Sequence, residues 1–344
     1  MVRAIGMSAR GMVLSIYGLE DGKPYMRASY PLKAIKERSD EIISLARDAD
    51  AVVAPSGYGL PVRRLMECKE EDFSCLYLLK KGDESLPSLN ELVALVKRMA
   101  EECPNSFVIP SVIELDSVPE HRKVNLIDMG ASDVLCIAVL AVKFQTDTLG
   151  MGYEDSSFLL IDLGAESNSF LMVEGGRVVD GIGGGNCRLG FLRMGRLDAE
   201  LAYLLGGFDK AFTLRGGLAD LSGCEEYERA MKEEMPFSAY LEGILKDAGG
   251  MLARFKPREV LVSGELARDE VIEGLEELGL GVRKVRGFSE FGLAAQGAAI
   301  IADGIAGGGF EELVRHVGVF DASGTALDHL YPEWLSKAVR KSLK

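Results

Sequence analysis

Short apolar segments separated by polar turns open the chain. Alternating apolar positions predict three strands, at Val2–Gly6, Met12–Tyr17 and Pro24–Ser29. Glycine and serine in the segment Gly6–Gly11 predict a turn between the first two strands, and the pair Asp21-Gly22 is typical of a tight hairpin. The chain therefore begins with a predicted three-stranded meander.

The same plan returns in the second half of the chain. Ser157–Leu163, Asn168–Val173 and Arg177–Gly181 are predicted strands, separated by turns at Gly164–Ser167 and Glu174–Gly176. Self-similarity between two halves of a chain indicates duplicated domains. Because β-meanders are common, a coincidental resemblance between the two hairpins is the alternative.

Elsewhere the pattern alternates between helix and strand, which is typical of α/β folds whose sheets are covered by helices. Helical spacing of apolar residues predicts helices at Leu32–Arg47, Ser88–Glu102, Ser132–Gln145, Leu197–Leu205, Pro236–Phe255, Asp269–Leu278 and Glu290–Ile305. Short apolar runs predict strands at Ala51–Ala54, Phe73–Leu79, Phe107–Ile109, Glu259–Val262 and Gly281–Val285. We expect a first lobe at 1–152, a second lobe at 153–310, and a helical tail at 311–344 that packs on the body.

Composition excludes several classes of protein. The longest apolar run, Val134–Val142, is too short for a membrane span of about 20 residues, and no export signal precedes it, so we expect a cytoplasmic protein. A net charge of −14 argues against binding to nucleic acid. The 6 cysteines form no CxxC pair, and the 3 histidines have no plausible nucleophile or ligand nearby in the sequence, which argues against a zinc hydrolase or a histidine triad.

The end of the chain, Tyr331–Lys344, combines an apolar stripe with basic residues. The stripe includes Trp334, the single tryptophan. A basic amphipathic helix can bind an anionic membrane or an acidic partner. We instead expect the stripe to pack on the acidic body of the same chain and to shield Trp334 from water.

Two predicted strands end where chemistry is plausible. The first ends on Asp162 and turns on Gly164 and Ser167, so backbone N–H groups could face a phosphate while the carboxylate organises Mg²⁺. The second runs into Ser263-Gly264-Glu265, where glycine lets a ligand approach the backbone. Taken singly, an ordinary turn and a structural strand–helix junction are the more common explanations of these two segments.

Two further segments are rich in glycine. Gly183 and Gly184 follow the predicted strand Arg177–Gly181 and suit either close approach of a phosphate or a hinge, with a flexible loop as the plain alternative. The helix containing Ala294–Ala298, with Gly297 at its centre, suits either a flat ligand or tight packing against another helix.

The order and spacing of these segments resemble the second phosphate motif and the adenosine motif of the acetate/sugar kinase–Hsp70–actin superfamily. Along the whole chain the sequence also resembles an archaeal domain-of-unknown-function family described as predicted butyrate kinases, on the segments Ala54–Pro61, His121–Gly130, Ala294–Ala298 and Gly324–Tyr331. This resemblance implies an α/β fold of two duplicated ribonuclease H-like lobes, the actin-like ATPase fold, with a nucleotide cleft between them. It further implies ATP and Mg²⁺ as cofactors, a small carboxylic acid or similar acceptor, and leaves a homodimer open.

The resemblance also implies roles for individual residues. The γ-phosphate would lie between Ser8–Gly11 and Gly164–Ser167, Asp162 would hold Mg²⁺ through water, and Asp128 would orient the acceptor or act as a base. Arg10 could pair with phosphate oxygens. The full set of implied nucleotide-binding residues is Ser8, Arg10, Gly11, Gly164, Ser167, Gly183, Gly184, Ser263, Gly264, Glu265 and Gly297. For Arg10 a solvated loop position, and for Asp128 a helix cap or ion pair, are the alternatives.

The sequence departs from the superfamily pattern at the first phosphate loop. That loop usually reads Asp-x-Gly-Thr, whereas the matching positions here are Gly6–Ala9, which lack both the carboxylate and the threonine. In the second loop Ala165 replaces a usual glycine. Because phosphoryl transfer depends on positioning and charge neutralisation, two functions stay open. One is an ATP-dependent phosphotransferase of the acetate/butyrate kinase type, and the other is a nucleotide-binding or scaffold protein without turnover.

Overall fold

The computed structural model describes residues 1–343, which form two mixed sheets and their covering helices. The strands are β1 Arg3–Arg10, β2 Val13–Glu20, β3 Lys23–Pro31, β4 Ala51–Val53, β5 Arg63–Arg64, β6 Ser106–Val108, β7 Ser157–Leu163, β8 Asn168–Glu174, β9 Arg177–Ile182, β10 Glu259–Ser263 and β11 Val282–Lys284. The helices are α1 Ile35–Arg47, α2 Glu70–Tyr77, α3 Pro87–Glu102, α4 Glu120–Lys123, α5 Ser132–Leu149, α6 Ala199–Leu205, α7 Leu218–Ser222, α8 Tyr227–Ala230, α9 Glu234–Arg254, α10 Asp269–Leu275, α11 Leu293–Ile305, α12 Glu311–Val317 and α13 Glu333–Ser342.

The two sheets share one topology. The first has the order β3-β2-β1-β4-β6-β5 and the second β11-β10-β7-β8-β9, so β7, β8, β9, β10 and β11 match β1, β2, β3, β4 and β6. In both sheets the first three strands pair antiparallel and the next two join in parallel, whereas the edge strand β5 pairs antiparallel with β6. The predicted duplication and the α/β fold class are confirmed.

The first hairpin differs from its prediction. Strand β1 continues to Arg10, so Gly6, Ser8 and Arg10 belong to a strand instead of a turn. The turn consists of Gly11 and Met12, which both have positive φ (54° and 65°), as a tight two-residue hairpin requires. Gly6 packs against α11, where a side chain would overlap the helix backbone. This position therefore does not form part of a phosphate-binding loop.

One predicted strand is a helix. Phe73–Leu79 was expected to be extended, but α2 covers Glu70–Tyr77. Its buried residues Phe73, Leu76 and Tyr77 are spaced three and four apart, which is the helical spacing. Acidic residues in its first turn favour the helix further, because they face the positive end of the helix dipole.

Helices α5 and α11 pack together between the sheets. Helix α11 contacts β1, β2, β4 and α5, so residues 293–305, assigned from the sequence to the second lobe, lie against the sheet of the first lobe. A side chain on Gly297 would overlap the backbone of Cys136 on α5. Gly297 therefore permits a close helix crossing, and the alternative of tight helix packing describes this segment.

The last helix, α13, differs from the prediction that the body shields Trp334. Every residue of α13 is at least partly exposed, and Trp334 is 67% exposed, so the body does not shield it. The partly buried residues of this helix are Leu335, Ser336, Val339 and Arg340, and Arg340 forms an ion pair with Asp328. Among the described residues, no helix is both long and apolar enough to span a membrane.

Candidate functional site

A cavity of about 330 Å³ lies between the two lobes, where the hairpin ends of both sheets face each other. Its apolar lining comes largely from the first lobe and includes Met7, Leu32, Val53, Leu76, Leu89, Leu92 and Ile109. Its charged lining comes from both lobes: Arg10, Asp128 and Asp133 from the first, and Asp162, Glu166, Arg193 and Lys210 from the second. A ligand with an apolar part and a charged part suits this cleft.

Arg10 joins the two lobes through two carboxylates. Its Nη2 atom donates a hydrogen bond of 2.6 Å to Asp162 Oδ2, and its Nη1 atom lies 3.2 Å from Asp133 Oδ2. Asp162, at the end of β7, is 1% exposed, and its other oxygen accepts a 2.7 Å hydrogen bond from Ser263 Oγ. Both oxygens of the Asp162 carboxylate are thus occupied by protein donors.

The electrostatics of this group follow from its burial. Burial by itself lowers the pKa of Arg10, but attraction to Asp162, Asp133 and Glu265 outweighs it, so the pKa is raised and the guanidinium stays charged. Burial raises the pKa of Asp133, and Arg10 opposes this shift. A side-chain carbon on Gly164 would lie 2.7 Å from Arg10 Nη2, so the absence of a side chain on this glycine makes room for the guanidinium.

The segment that follows β10 packs against the end of β7 and the turn after it. Glu265 Oε2 accepts a 3.2 Å hydrogen bond from the N–H of Ala165, in the turn that was expected to bind phosphate. The N–H of Gly164 in the same turn bonds to the carbonyl of Ser167. Gly264 has a φ of 98°, and a side chain there would overlap Leu163. Ser263, Gly264 and Glu265 therefore lie beside the predicted phosphate turn. Glu265 occupies a backbone N–H of this turn that was expected to face a phosphate.

Asp128 holds a turn of the second lobe. Its carboxylate accepts hydrogen bonds from the N–H groups of Gly130 (3.1 Å) and Gly185 (2.9 Å). A side chain on Gly183 would overlap the Asp128 carboxylate, and one on Gly184 would overlap Ser167. These glycines permit a close approach of two loops, and Asp128 acts here as an anchor between the lobes.

Lys210 is a cleft residue that the sequence did not predict. Its Nζ lies 5.3 Å from the ring centre of Tyr58, and its backbone N–H donates a 2.9 Å hydrogen bond to Asp83 of the first lobe. Burial and, to a smaller degree, the charge of Arg193 lower the pKa of Lys210 to about 8, although Asp128 and Asp83 oppose the shift. The loop that carries Lys210 therefore crosses the cleft to the first lobe.

Arg193 is a second unpredicted cation in the cleft. Its Nη2 atom lies 3.4 Å from Glu166 Oε2. Burial by itself lowers the pKa of Arg193, while attraction to Tyr58, Glu166 and Asp128 raises it, and the net shift is upward. Neither Arg193 nor Lys210 belongs to a periodic apolar segment, and only the fold brings them to the cleft.

Three buried donor atoms of the cleft lining have no hydrogen-bond partner within the described chain. They are Ser8 Oγ, Arg10 Nη1 and Arg193 Nε. Buried polar atoms are nearly always hydrogen-bonded, so a set of unpaired donors in one cavity indicates an acceptor that binds there. An anionic group is the acceptor that such donors suit best.

Most of the predicted site residues do meet in this cleft. Its lining includes Ser8, Arg10, Gly11, Asp128, Asp162, Gly164, Ser167 and Gly184. Gly183, Ser263 and Glu265 contact residues of the cleft lining or of the Gly164–Ser167 turn, and Gly264 packs against Leu163 at the end of β7. Gly297 does not line the cleft and lies at the crossing of α5 and α11, against Cys136.

The residues at Asp162 do not fit a Mg²⁺ site. Magnesium requires oxygen ligands, directly or through water, in a nearly octahedral arrangement. Here Arg10 and Ser263 occupy both oxygens of Asp162, and Arg10 also faces Asp133. Within residues 1–343, no group of three or more acidic, histidine or cysteine side chains is arranged to hold a metal ion.

Solved structures with the same fold include acetate and propionate kinases. A propionate kinase from Francisella tularensis superposes with a TM-score of 0.59 at 12% identity, over 86% of this chain and 99% of that one. Acetate kinases from Entamoeba histolytica and Porphyromonas gingivalis give TM-scores of 0.57 and 0.54 at 11% and 14% identity, each over 80% of this chain and 86% of the kinase. The chain has the two-lobed fold of these kinases.

Sequence comparison gives the family. Among curated proteins, none matches this sequence significantly. A family profile, however, matches residues 12–331, which is most of the 344-residue chain. The chain belongs to the family described as "Protein of unknown function (DUF1464)".

Proposed function

We propose that this protein is a phosphotransferase that uses ATP to phosphorylate a small carboxylic acid with an apolar chain. The observation that carries the proposal is the composition of the interlobe cleft. Unpaired donors on Ser8, Arg10 and Arg193 share one cavity with an apolar wall. A fatty acid of a few carbons offers the matching chemistry, because its carboxylate accepts hydrogen bonds and its tail avoids water.

The acid would bind with its tail against the first lobe. Leu76 of α2 and Leu89 and Leu92 of α3 form part of the apolar lining. The carboxylate would face Arg193 and Lys210, whose charges attract an anion. Likeness in fold to acetate and propionate kinases supports an acid as acceptor, and the resemblance to predicted butyrate kinases supports a longer chain.

The nucleotide would bind on the side of the second lobe. A surface depression beside Glu265 is lined by Tyr227, Met231 and Phe237, which offer an apolar and aromatic surface to a base. The phosphates would extend from there past the turn at Ala165 into the cleft. Glu265 would then have to release the Ala165 N–H, which it holds at 3.2 Å.

The proposed chemistry needs no proton transfer by the protein. A carboxylate oxygen of the acid attacks the γ-phosphorus of ATP, the bond between that phosphorus and the bridging oxygen breaks, and ADP leaves with the electron pair. Because the acceptor is already ionised at neutral pH, no general base is required. This suits Asp128, whose two oxygens accept backbone N–H bonds. Asp128 would orient the loops of the cleft instead of removing a proton.

The direct test is the formation of an acyl phosphate. The full chain is incubated with ATP and a series of acids from acetate to hexanoate, and hydroxylamine traps the product as a hydroxamate. We expect ADP release that depends on the acid and is greatest for acids of intermediate length. Leu89→Phe should shift the preference toward shorter acids, whereas Leu204→Phe on the exposed face of α6 should leave it unchanged. A rate of ADP release that is the same with and without an acid would contradict the proposal.

Two contacts favour a second function, a nucleotide-binding protein without turnover. The Arg10 guanidinium pairs with Asp162, and the Glu265 carboxylate occupies an N–H of the turn expected to bind phosphate. Calorimetry distinguishes the two functions. Nucleotide binding with no hydroxamate from any acid would support the second, and Glu265→Gln should then tighten binding because it removes a negative charge beside the phosphates.

A further inference from the structure

The β1–β2 turn and the β7–β8 turn contact each other at the position where a metal ion would be expected to bridge the two lobes. A side-chain carbon on Gly11 would lie 3.3 Å from Cβ of Ala165, so the ends of β1 and β7 face each other closely. Between them Arg10 lies against Asp162 at 2.6 Å and near Asp133 at 3.2 Å. A cation therefore already occupies this position, and it is part of the chain.

We propose that the Arg10 guanidinium takes the place of a divalent cation in this cleft, so that an anionic ligand binds without a metal ion held by the protein. Anion binding by Arg10 is independent of whether the proposed phosphotransfer occurs. It rests on three features of the described residues: the occupied oxygens of Asp162, the space at Gly164 and the unpaired Nη1 atom of Arg10.

Each oxygen of the Asp162 carboxylate already accepts a hydrogen bond from the protein, so a metal ion would have to compete with the buried Arg10 guanidinium for this carboxylate. Ser263 Oγ bonds one oxygen at 2.7 Å and Arg10 Nη2 bonds the other at 2.6 Å. The carboxylate is 1% exposed, so water cannot reach it easily to form a hydrated-metal contact. The charge of Asp162 is thus balanced inside the protein.

The backbone next to Asp162 is shaped around the guanidinium. At Gly164 a side-chain carbon would lie only 2.7 Å from Arg10 Nη2. This contact explains a glycine at a position where sequence reasoning expected a phosphate to approach the backbone. The guanidinium is planar and has five N–H donors, so it can hold two carboxylates and still face a third acceptor.

One donor of Arg10 remains for a ligand. Nη1 lies within ion-pair distance of Asp133 but makes no hydrogen bond of acceptable geometry to any described residue. Ser8 Oγ, two residues earlier on the same face of β1, is also unpaired within residues 1–343. Because a guanidinium keeps its charge throughout the physiological pH range, these donors offer a permanent anion-binding pair.

The test uses the full chain with Mn²⁺ and inorganic pyrophosphate as probes. Electron paramagnetic resonance of wild-type protein should detect no saturable Mn²⁺ binding in the cleft, and calorimetry should give pyrophosphate affinities in EDTA and in Mg²⁺ that agree within about twofold. Saturable Mn²⁺ binding that Asp162→Asn abolishes would overturn the proposal. So would pyrophosphate binding that requires Mg²⁺, or no pyrophosphate binding under either condition.

Substitution of Arg10 adds an independent test. Arg10→Ala should uncover the carboxylates of Asp162 and Asp133 and thereby create a Mn²⁺ site. The double variant Arg10→Ala/Asp162→Asn should lose this site. Arg63→Ala, which removes an ion pair with Asp72 outside the cleft, is the matched control and should behave as wild type. A folded Arg10→Ala protein without a Mn²⁺ site would contradict the inference. If this variant fails to fold, the wild-type measurements decide alone, and Arg10→Lys should retain the exclusion of metal.

Discussion

The ends of β1 and β7 occupy equivalent positions in two sheets of the same topology, yet they carry opposite charges. Strand β7 ends beside Asp162 and turns over four residues, whereas β1 extends to Arg10 and turns over Gly11 and Met12 alone. Duplication preserved the backbone arrangement and left the chemistry free to diverge. One lobe supplies a buried carboxylate and the other supplies the cation that neutralises it.

The largest effect should come from removing the cation from this pair. Arg10→Ala leaves the Asp162 carboxylate buried without a positively charged partner, and loss of one member of a buried ion pair costs about 3–5 kcal/mol. Urea unfolding should report this loss. Arg63→Ala should cost at most about 1 kcal/mol, because its ion pair is more exposed.

A second variant separates the electrostatic cost from the packing cost. Asp162→Asn in the Arg10→Ala background removes the uncompensated charge, so the double variant should be more stable than Arg10→Ala alone. If the two substitutions destabilise additively, Arg10 and Asp162 are not coupled, and the comparison between the two strand ends loses its basis.

A smaller effect is expected from Gly6, which precedes Arg10 on the same strand. A methyl group there would overlap the backbone of Ala299 and Ala295 on α11, and overpacking typically costs about 1–3 kcal/mol or more. Gly6→Ala should therefore lower the midpoint of urea unfolding. The matched control is Gly250→Ala on α9, where open space within the described chain surrounds the added carbon. That substitution should stabilise the protein by about 0.5–1 kcal/mol, because alanine favours helix.

Gly6→Asp tests the same position more severely. A sequence-based repair of the first phosphate loop would place a carboxylate at Gly6 and expect tighter metal binding. Since a side chain at this position meets α11 instead of the cleft, we expect a destabilised protein with unchanged metal affinity. A stable Gly6→Asp variant that binds Mn²⁺ would show that residue 6 of β1 faces the cleft and not α11.

The second hairpin was predictable because its own sequence determines it. The predicted limits of β7 are correct to the residue, since the apolar run 158–161 follows a pair of serines and Gly164 comes directly after Asp162 and Leu163. The first hairpin was misread because Gly6 and Ser8 have turn-like composition. Their small side chains instead serve close packing with α11 and the polar cleft, neither of which is visible locally.

The cleft was only partly predictable for the same reason. Asp162 follows a clear strand, so its position at the sheet edge could be inferred. The pairing of Arg10 with Asp162 spans 152 positions of sequence and depends on how the lobes pack. Lys210 and Arg193 come from loops without periodicity, and their arrival in the cleft follows from backbone contacts such as the bond from Lys210 to Asp83.

The charge of Lys210 gives a pH-dependent test of the comparison. Because its pKa is lowered to about 8, Lys210 is a cation below that pH and loses its charge above it, whereas Arg10 stays charged. Pyrophosphate affinity should therefore fall by up to about tenfold between pH 7 and pH 9 without vanishing. Lys210→Arg should flatten this profile. A profile that is already flat in the wild type would remove Lys210 from the anion site.

The smallest effect should arise at α13, far from both hairpin ends in sequence. Trp334 is 67% exposed, so its fluorescence should be quenched readily by iodide and have a solvent-like emission maximum. Trp334→Ala should change the free energy of unfolding by less than about 0.5 kcal/mol, since surface substitutions rarely do more. Deleting residues 333–344 also removes the exposed ion pair between Arg340 and Asp328, which is worth about 0–1 kcal/mol. Blue-shifted emission in dilute solution would mean that the stripe packs on the body after all, and a blue shift only with anionic vesicles would identify a membrane-binding tail.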